Sequence, residues 1–376
     1  MAIIKIDGVD YGDVVKLNGV AKANCAKLNG VEGTIVATLW VSVHADTIVA
    51  SATNDLTSWT AYDAITGSAP SAAVDSIYVA YGKDGNGAGR WVQSHHADNA
   101  ELTFTNDPEN NTDPGWHRVF EQNGEGTGAD GDTIPNRMLA IGWGNDVWLA
   151  IGNQDSGTES ILRSVDGNSW AVIDLSGLSG ITSTSCFGLA TNGTGHWWFS
   201  QQNRIYKSTN DGASWALHHT LADSANNDPG DIRALLYTNN TLVAYVRGGG
   251  GQLFAAAASD TTDWSNETDM TSGGNINQQN RWAAAAGRVV AVYAQRKWTF
   301  DVSGKSITLD EDYIDLTSDT HGNANGIATD GTTWVVGCMT GDMLTSTNGG
   351  DSWALAEANV GAEDVEMLAG NVILPI

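Results

Sequence analysis

The chain has 376 residues, with Asp+Glu 44 against Lys+Arg 18, a formal net charge of −26, 44 glycines and 15 tryptophans. A polyanion of this size is repelled by phosphate backbones, so nucleic acid is a poor partner. Its 41% hydrophobic content excludes a disordered chain, and no apolar run reaches the ~18 residues of a membrane helix. Cys25, Cys186 and Cys338 lie far apart, without the spacing of a disulfide framework or zinc site. The N-terminus lacks a basic stretch leading into an apolar core, so no secretory signal is expected. Together these features predict a chain made in a reducing cytoplasm, with no resident metal or cofactor.

In chain order, the first element is a repeat of period 11: Lys5-Ile6-Asp7-Gly8-Val9, Lys16-Leu17-Asn18-Gly19-Val20 and Lys27-Leu28-Asn29-Gly30-Val31. Asp-Gly or Asn-Gly between short apolar stretches signals a two-residue type I′ hairpin. Residues 1–33 are therefore expected to form a small antiparallel meander. They hold four of the eight lysines, Lys5, Lys16, Lys22 and Lys27. So small a meander is marginal alone, and its edges invite pairing with another chain. It is expected to be an attachment or oligomerisation element, using Lys5, Asp7, Gly8, Lys16, Asn18, Gly19, Lys27, Asn29 and Gly30. Packing against the first unit of the body is the alternative.

Residues 34–376 carry repeated units that read strand, turn, strand, loop, strand, Asx turn, strand. Met138-Leu139-Ala140-Ile141-Gly142 leads through Asn145-Asp146 to Val147-Trp148-Leu149-Ala150-Ile151-Gly152, and Ala234-Leu235-Leu236-Tyr237 precedes Leu242-Val243-Ala244-Tyr245-Val246 in the same style. No long window shows a helical apolar period. Marker tryptophans at 59, 116, 170, 215, 264 and 353, with a weak unit over 281–310, define seven units of about 50 residues. Four-stranded units at this period predict an all-β, seven-bladed β-propeller after the N-terminal hairpins. The tail, 366–374, copies the style of a unit's first two strands and is expected to close the ring in the first blade.

The turn before the marker tryptophan is best preserved at Ser164, Asp166, Gly167 and Trp170, at Ser208, Asn210, Gly212 and Trp215, and at Ser346, Asn348, Gly350 and Trp353. Asp or Asn accepts backbone N–H groups, Gly takes the positive φ, and Trp opens the next strand and packs inward. Weaker frames end at Trp59, Trp116 and Trp264.

These turns resemble the Asp-box, or BNR repeat, with pattern Ser-x-Asp-x-Gly-x-x-Trp. The resemblance implies a propeller in which the box sits on the outer rim and is structural. Sialidases share it, with three arginines for the substrate carboxylate, a Tyr/Glu nucleophile pair and an Asp acid. The Phe/Tyr-Arg-Ile-Pro motif of those enzymes is missing, Asn203-Arg204-Ile205-Tyr206 being the nearest echo. Residues 1–33 are similar to the N-termini of structural proteins of tailed phages.

Other chemistry is weakly signalled. His95-His96 and His218-His219 cannot chelate as pairs, because adjacent strand residues face opposite ways. The stretches 84–87, 130–132 and 310–312 offer carboxylates without the spacing of a calcium loop. Residues 248–251 are four glycines without a phosphate-loop lysine. Most tryptophans are expected in the core, with Trp143, between two glycines, the better candidate for exposure.

The chain is therefore expected to be a non-enzymatic virion structural protein, a capsid decoration or tail or fibre component. Residues 1–33 would join it to other virion proteins or sister copies, and host-surface glycans would be candidate ligands. The expected location is the virion. The alternatives are a phage-borne glycan hydrolase of sialidase-like fold and a non-viral protein-interaction scaffold.

Overall fold

A computed structural model describes residues 39–44, 48–52, 56, 58–63, 75–96, 101–107, 116–121, 137–153, 160–181, 186–221, 230–247, 251–259, 264, 266–270, 276, 279–315, 321–358, 360 and 365–370, with short strands within 5–32. These residues form seven four-stranded antiparallel sheets and three two-stranded ones.

From innermost to outermost strand, sheet 1 runs Val365–Gly370, Trp40–His44, Ile48–Ala52, Thr60–Asp63. Sheet 2 is Asp75–Lys83, Gly89–His96, Glu101–Thr105, His117–Glu121, and sheet 3 is Arg137–Gly144, Val147–Asn153, Ser160–Ser164, Ala171–Asp174. Sheet 4 is Cys186–Thr191, Trp197–Gln201, Arg204–Ser208, Ala216–Thr220, and sheet 5 is Ile232–Thr238, Thr241–Val246, Gln252–Ala257, Asn266–Asp269. Sheet 6 is Trp282–Ala285, Arg288–Tyr293, Arg296–Ser303, Ser306–Asp315, and sheet 7 is Ala324–Thr329, Trp334–Cys338, Met343–Ser346, Ala354–Glu357. Each innermost strand neighbours those of the sheets before and after it, and sheet 7 returns to sheet 1, so the sheets close a ring.

Packing sheet on sheet explains why the middle strands read as apolar runs. Trp197–Gln201 and Thr241–Val246 are buried along their whole length, because both faces are covered. The core lies between the sheets: Leu149 and Ile151 of sheet 3 pack with Trp197, Phe199 and Tyr206 of sheet 4. Outer strands are the exposed ones, as at Leu217 and Leu355.

Two expectations need correction. The tail supplies one strand to sheet 1, Val365–Gly370, rather than two. Trp40–His44 already occupies the second place, and 371–374 lie outside the described residues. Residues 1–33 form three separate pairs, Lys5–Ile6 with Val9–Asp10, Lys16–Leu17 with Val20–Ala21, and Lys27–Leu28 with Val31–Glu32, rather than one meander. Strands of two residues are exhausted by pairing across their own turn, leaving little ladder for a neighbour.

Candidate functional site

The three marker turns share one hydrogen-bond pattern. The hydroxyls of Ser164, Ser208 and Ser346 donate to the side-chain oxygens of Asp166, Asn210 and Asn348 at 2.9, 2.9 and 2.8 Å. The same hydroxyls accept the N–H of Gly167, Gly212 and Gly350 at 2.8, 2.9 and 2.9 Å. The Asx oxygens then accept from Ser169, Ser214 and Ser352. Finally, the indoles of Trp170, Trp215 and Trp353 donate to the carbonyls of those glycines at 3.3, 3.0 and 2.9 Å. Asn serves as well as Asp because one side-chain oxygen makes the shared bonds, and the Nδ2 of Asn210 and Asn348 adds a bond to the hydroxyl of Ser214 and Ser352 at 2.9 Å. At Asp166 burial pushes the carboxyl up, but N–H bonds from Ser169 and Asn168, the Ser164 hydroxyl and the charge of Arg90 outweigh it and hold it below its usual range. Gly212 has φ 75°, and a β-carbon there would lie 2.7 Å from Leu149 of the preceding sheet.

The weaker frames lose parts of this pattern in a readable way. Trp59 keeps its indole bond, 3.1 Å to the carbonyl of Leu56, which holds φ 50° where the other turns have Gly. The buried indole N–H groups of Trp116 and Trp264 have no hydrogen-bond partner among the described residues. Sheet 6 dispenses with the turn and joins its outer strands through Gly304.

Cations strap these turns to the sheet before. Arg90 of sheet 2 donates to the carbonyl of Asp166, and Arg163 of sheet 3 to that of Asp211 at 2.7 Å. Lys207 of sheet 4 reaches the carbonyl of Ala258 at 3.2 Å. In sheet 6, Arg288 donates to Gly349 at 3.0 Å and pairs with Asp351 and Asp301, while Lys297 donates to Gly350 and Asp351. These turns lie at the same end of the sheets as the hairpins joining first and second strands, since Trp148 pairs with both Trp143 and Ser164.

The opposite end of the ring is built differently. In six sheets the innermost strand carries one extra residue near its start, where the register against the second strand shifts. The extra residues are Ile77, Leu139, Phe187 (with Gly188), Arg233, Asn325 and Glu366, at equivalent places. In sheet 6 a 3₁₀ turn, Gln279–Arg281, leads into the strand instead. Such bulges re-aim a side chain out of the ladder.

At Phe187, Arg233 and Asn325 the side chains of neighbouring sheets meet. The Arg233 guanidinium lies 3.7 Å over the Phe187 ring, and Arg281 donates to Asn325 Oδ1 at 2.7 Å while lying 5.0 Å from the Tyr293 ring. Gln279 clamps the backbone of Leu235 through both side-chain atoms. Asp231 pairs with Arg233 at 2.6 Å, whereas the buried Nε of Arg233 has no partner. Burial first, and repulsion from Arg247, pull Arg233 below the usual guanidinium range against the attraction of Asp231. Tyr245, which accepts the Ile276 N–H, is pushed up to about 12 chiefly by burial and stays neutral.

These residues escaped the motif search, whose arginines recurred at no equivalent inner-strand position. The signal was an apolar residue, a variable residue, then Ala or Gly, as in Ile232-Arg233-Ala234, Ala324-Asn325-Gly326 and Met138-Leu139-Ala140.

Other candidates resolve as follows. Trp143 is not an exposed platform: it lies in an innermost strand with its side chain packed on Gly82 of the preceding sheet, which has no side chain to exclude it. His218 is buried and His219 stacks on Trp264 at 5.5 Å. The Asp84 carboxylate accepts the N–H groups of Asn86 and Ala88. Among the described residues no group of three His, Cys, Asp or Glu side chains is placed to hold a metal, and no helix is long and apolar enough to cross a membrane. Asp7, Gly8, Asn18, Gly19, Asn29 and Gly30, with 130–132 and 248–250, lie outside the described residues.

No family model and no curated protein matches the chain. Among solved structures it is similar to one described as the mitotic checkpoint complex, with TM-score 0.54, 14% identity, and 82% of this chain and 87% of that one covered. It is also similar to the WD40 propeller domain of Doa1, with TM-score 0.50, 12% identity and coverage of 84% and 87%. A third is YCF48 bound to D1 peptide, with TM-score 0.50, 15% identity and coverage of 74% and 80%. At such identities the likeness shows the fold alone: the chain is a β-propeller.

Proposed function

We propose that the chain is a non-enzymatic structural protein of a virus particle, a seven-bladed propeller of the Asp-box type. On this reading residues 1–33 anchor it to other virion proteins or sister copies. The observation that carries the reading is the route of the chain. The Lys-Ile/Leu-Asx-Gly-Val hairpins lead into sheet 1 at Trp40, which pairs with Gly370 at the marker-turn end. An anchor there leaves the opposite end, with its re-aimed side chains, facing away from the assembly. The Ser, Asx, Gly and Trp hydrogen bonds repeated in three turns support the Asp-box assignment. A charge of −26 would keep closely spaced copies soluble and mutually repelling, while residues 1–33, whose four lysines balance Asp7, Asp10, Asp13 and Glu32, carry no net charge to repel an acidic partner.

A second reading, a protein-interaction scaffold outside any virion, is favoured by the Arg233–Phe187 cluster and by the description of the similar YCF48 structure as peptide-bound. Deleting residues 1–33 tests the first reading. The truncated propeller should stay folded and be missing from purified particles. Incorporation at wild-type occupancy would overturn the anchor.

A further inference from the structure

The end of the ring remote from the marker turns divides into two halves. Sheets 2 to 4 place Ile77, Leu139 and Phe187 at the extra position, all apolar. Sheets 5 and 7 place Arg233 and Asn325 there, Arg281 leads into sheet 6, and sheet 1 places Glu366. Within the cationic half, Arg233 and Arg247 interact electrostatically, and Asp231 is the one carboxylate among the described residues paired with either. Arg247 is joined to Asp231 through its backbone N–H alone, at 2.9 Å. In a chain of −26 two neighbouring guanidiniums thus have one paired acid, and one of them buries an N–H with no acceptor among the described residues. An arrangement of this kind is costly unless an anion completes it.

We infer that this mouth binds a peptide segment carrying a carboxylate beside an apolar side chain. The guanidiniums of Arg233 and Arg247 take the carboxylate, and Leu139 and Phe187 take the apolar group. A guanidinium held over the Phe187 ring and paired with Asp231 is restrained, and its planar fork of donors suits a planar carboxylate. An acidic sugar fits less well, since its hydroxyls would be desolvated against the apolar half without partners. This inference concerns the ligand of the free face and does not depend on virion membership.

The test is calorimetric titration of the full chain with an N-acetylated, C-amidated Gly-Leu-Glu-Leu-Glu-Gly peptide. Parallel arms use the same peptide with Gln for Glu, the same with Ala for Leu, and tetragalacturonate. Binding of the first peptide is expected, weakened about tenfold or more by the Gln exchange or by Arg247→Gln, each removing a charge-assisted contact. Phe187→Ala should act mainly on the Leu-containing peptide, Arg163→Gln on the strapped rim should leave affinity unchanged, and added salt should weaken binding. Thermal melting of each variant separates a lost contact from a lost fold. Binding of tetragalacturonate without the peptide, binding of neither, or affinity indifferent to Arg247→Gln in a folded variant would overturn the inference.

Discussion

The rim and the mouth of this propeller use the same residue types to opposite ends. At the rim, Arg90, Arg163, Lys207, Arg288 and Lys297 each place a cation on backbone carbonyls of the following sheet. In the three marker turns local sequence, turn geometry and inter-sheet packing agree. At the mouth, Arg233 leaves a buried donor unmatched among the described residues, pairs with Asp231 and is repelled by Arg247. Consistency across levels marks structure, and its failure at Arg233 lies where the proposed ligand would bind.

The contrast can be broken most severely by removing residues 365–376. Sheet 1 would lose its innermost strand and sheets 7 and 2 their shared neighbour. The expected outcome is loss of cooperative unfolding and aggregation through the exposed edges, read by denaturant titration and size-exclusion chromatography. A monomer with unchanged melting would contradict the closed ring.

Within the rim, Trp215→Ala should cost about 3–5 kcal/mol, since Trp215 is 9% exposed, packs edge-on to Phe199 and caps Gly212. Gly212→Ala combines a left-handed φ with a clash on Leu149 and should cost about 2–4 kcal/mol. Arg288→Ala should cost only about 1 kcal/mol, because Asp301 and Asp351 are exposed and Lys297 retains the strap. Urea unfolding orders the three, and none should alter peptide affinity at the mouth.

The smallest effect concerns pH. The Asp166 carboxyl is held below its unfolded value of about 3.9 by the hydrogen bonds of its turn. Its contribution to stability is therefore present above that value and lost as pH falls through the lower, folded one. Asp166→Asn should flatten the acid limb of the stability curve, because the Asn turns at 210 and 348 hold the same bonds without titrating. An unchanged acid limb would show that Asp166 is not held ionised by its turn.

How much of this was legible in sequence follows from distance along the chain. The marker turns were readable because Ser, Asx, Gly and Trp bond within a few residues of one another, so local spacing encodes the whole device. The repeat of strands was readable for the same reason. The mouth was not, because an extra residue in an innermost strand exists only relative to the register of its partner. Arg233 and Phe187 meet from different sheets, 46 positions apart in the numbering. Trp143 misled because its flanking glycines suggested a turn, whereas they belong to a strand whose neighbour offers Gly82.

The central claim is that the marker-turn end is the held end and the mouth the free one. Hydrogen–deuterium exchange of the chain in the particle of the proposed reading, compared with the free chain, tests it most directly. The account predicts new protection within 1–33 and around the turns at 164–170, 208–215 and 346–353, with 186–189 and 230–233 exchanging as in the free chain. Protection confined to 186–189 and 230–233, with 1–33 unchanged, would contradict it.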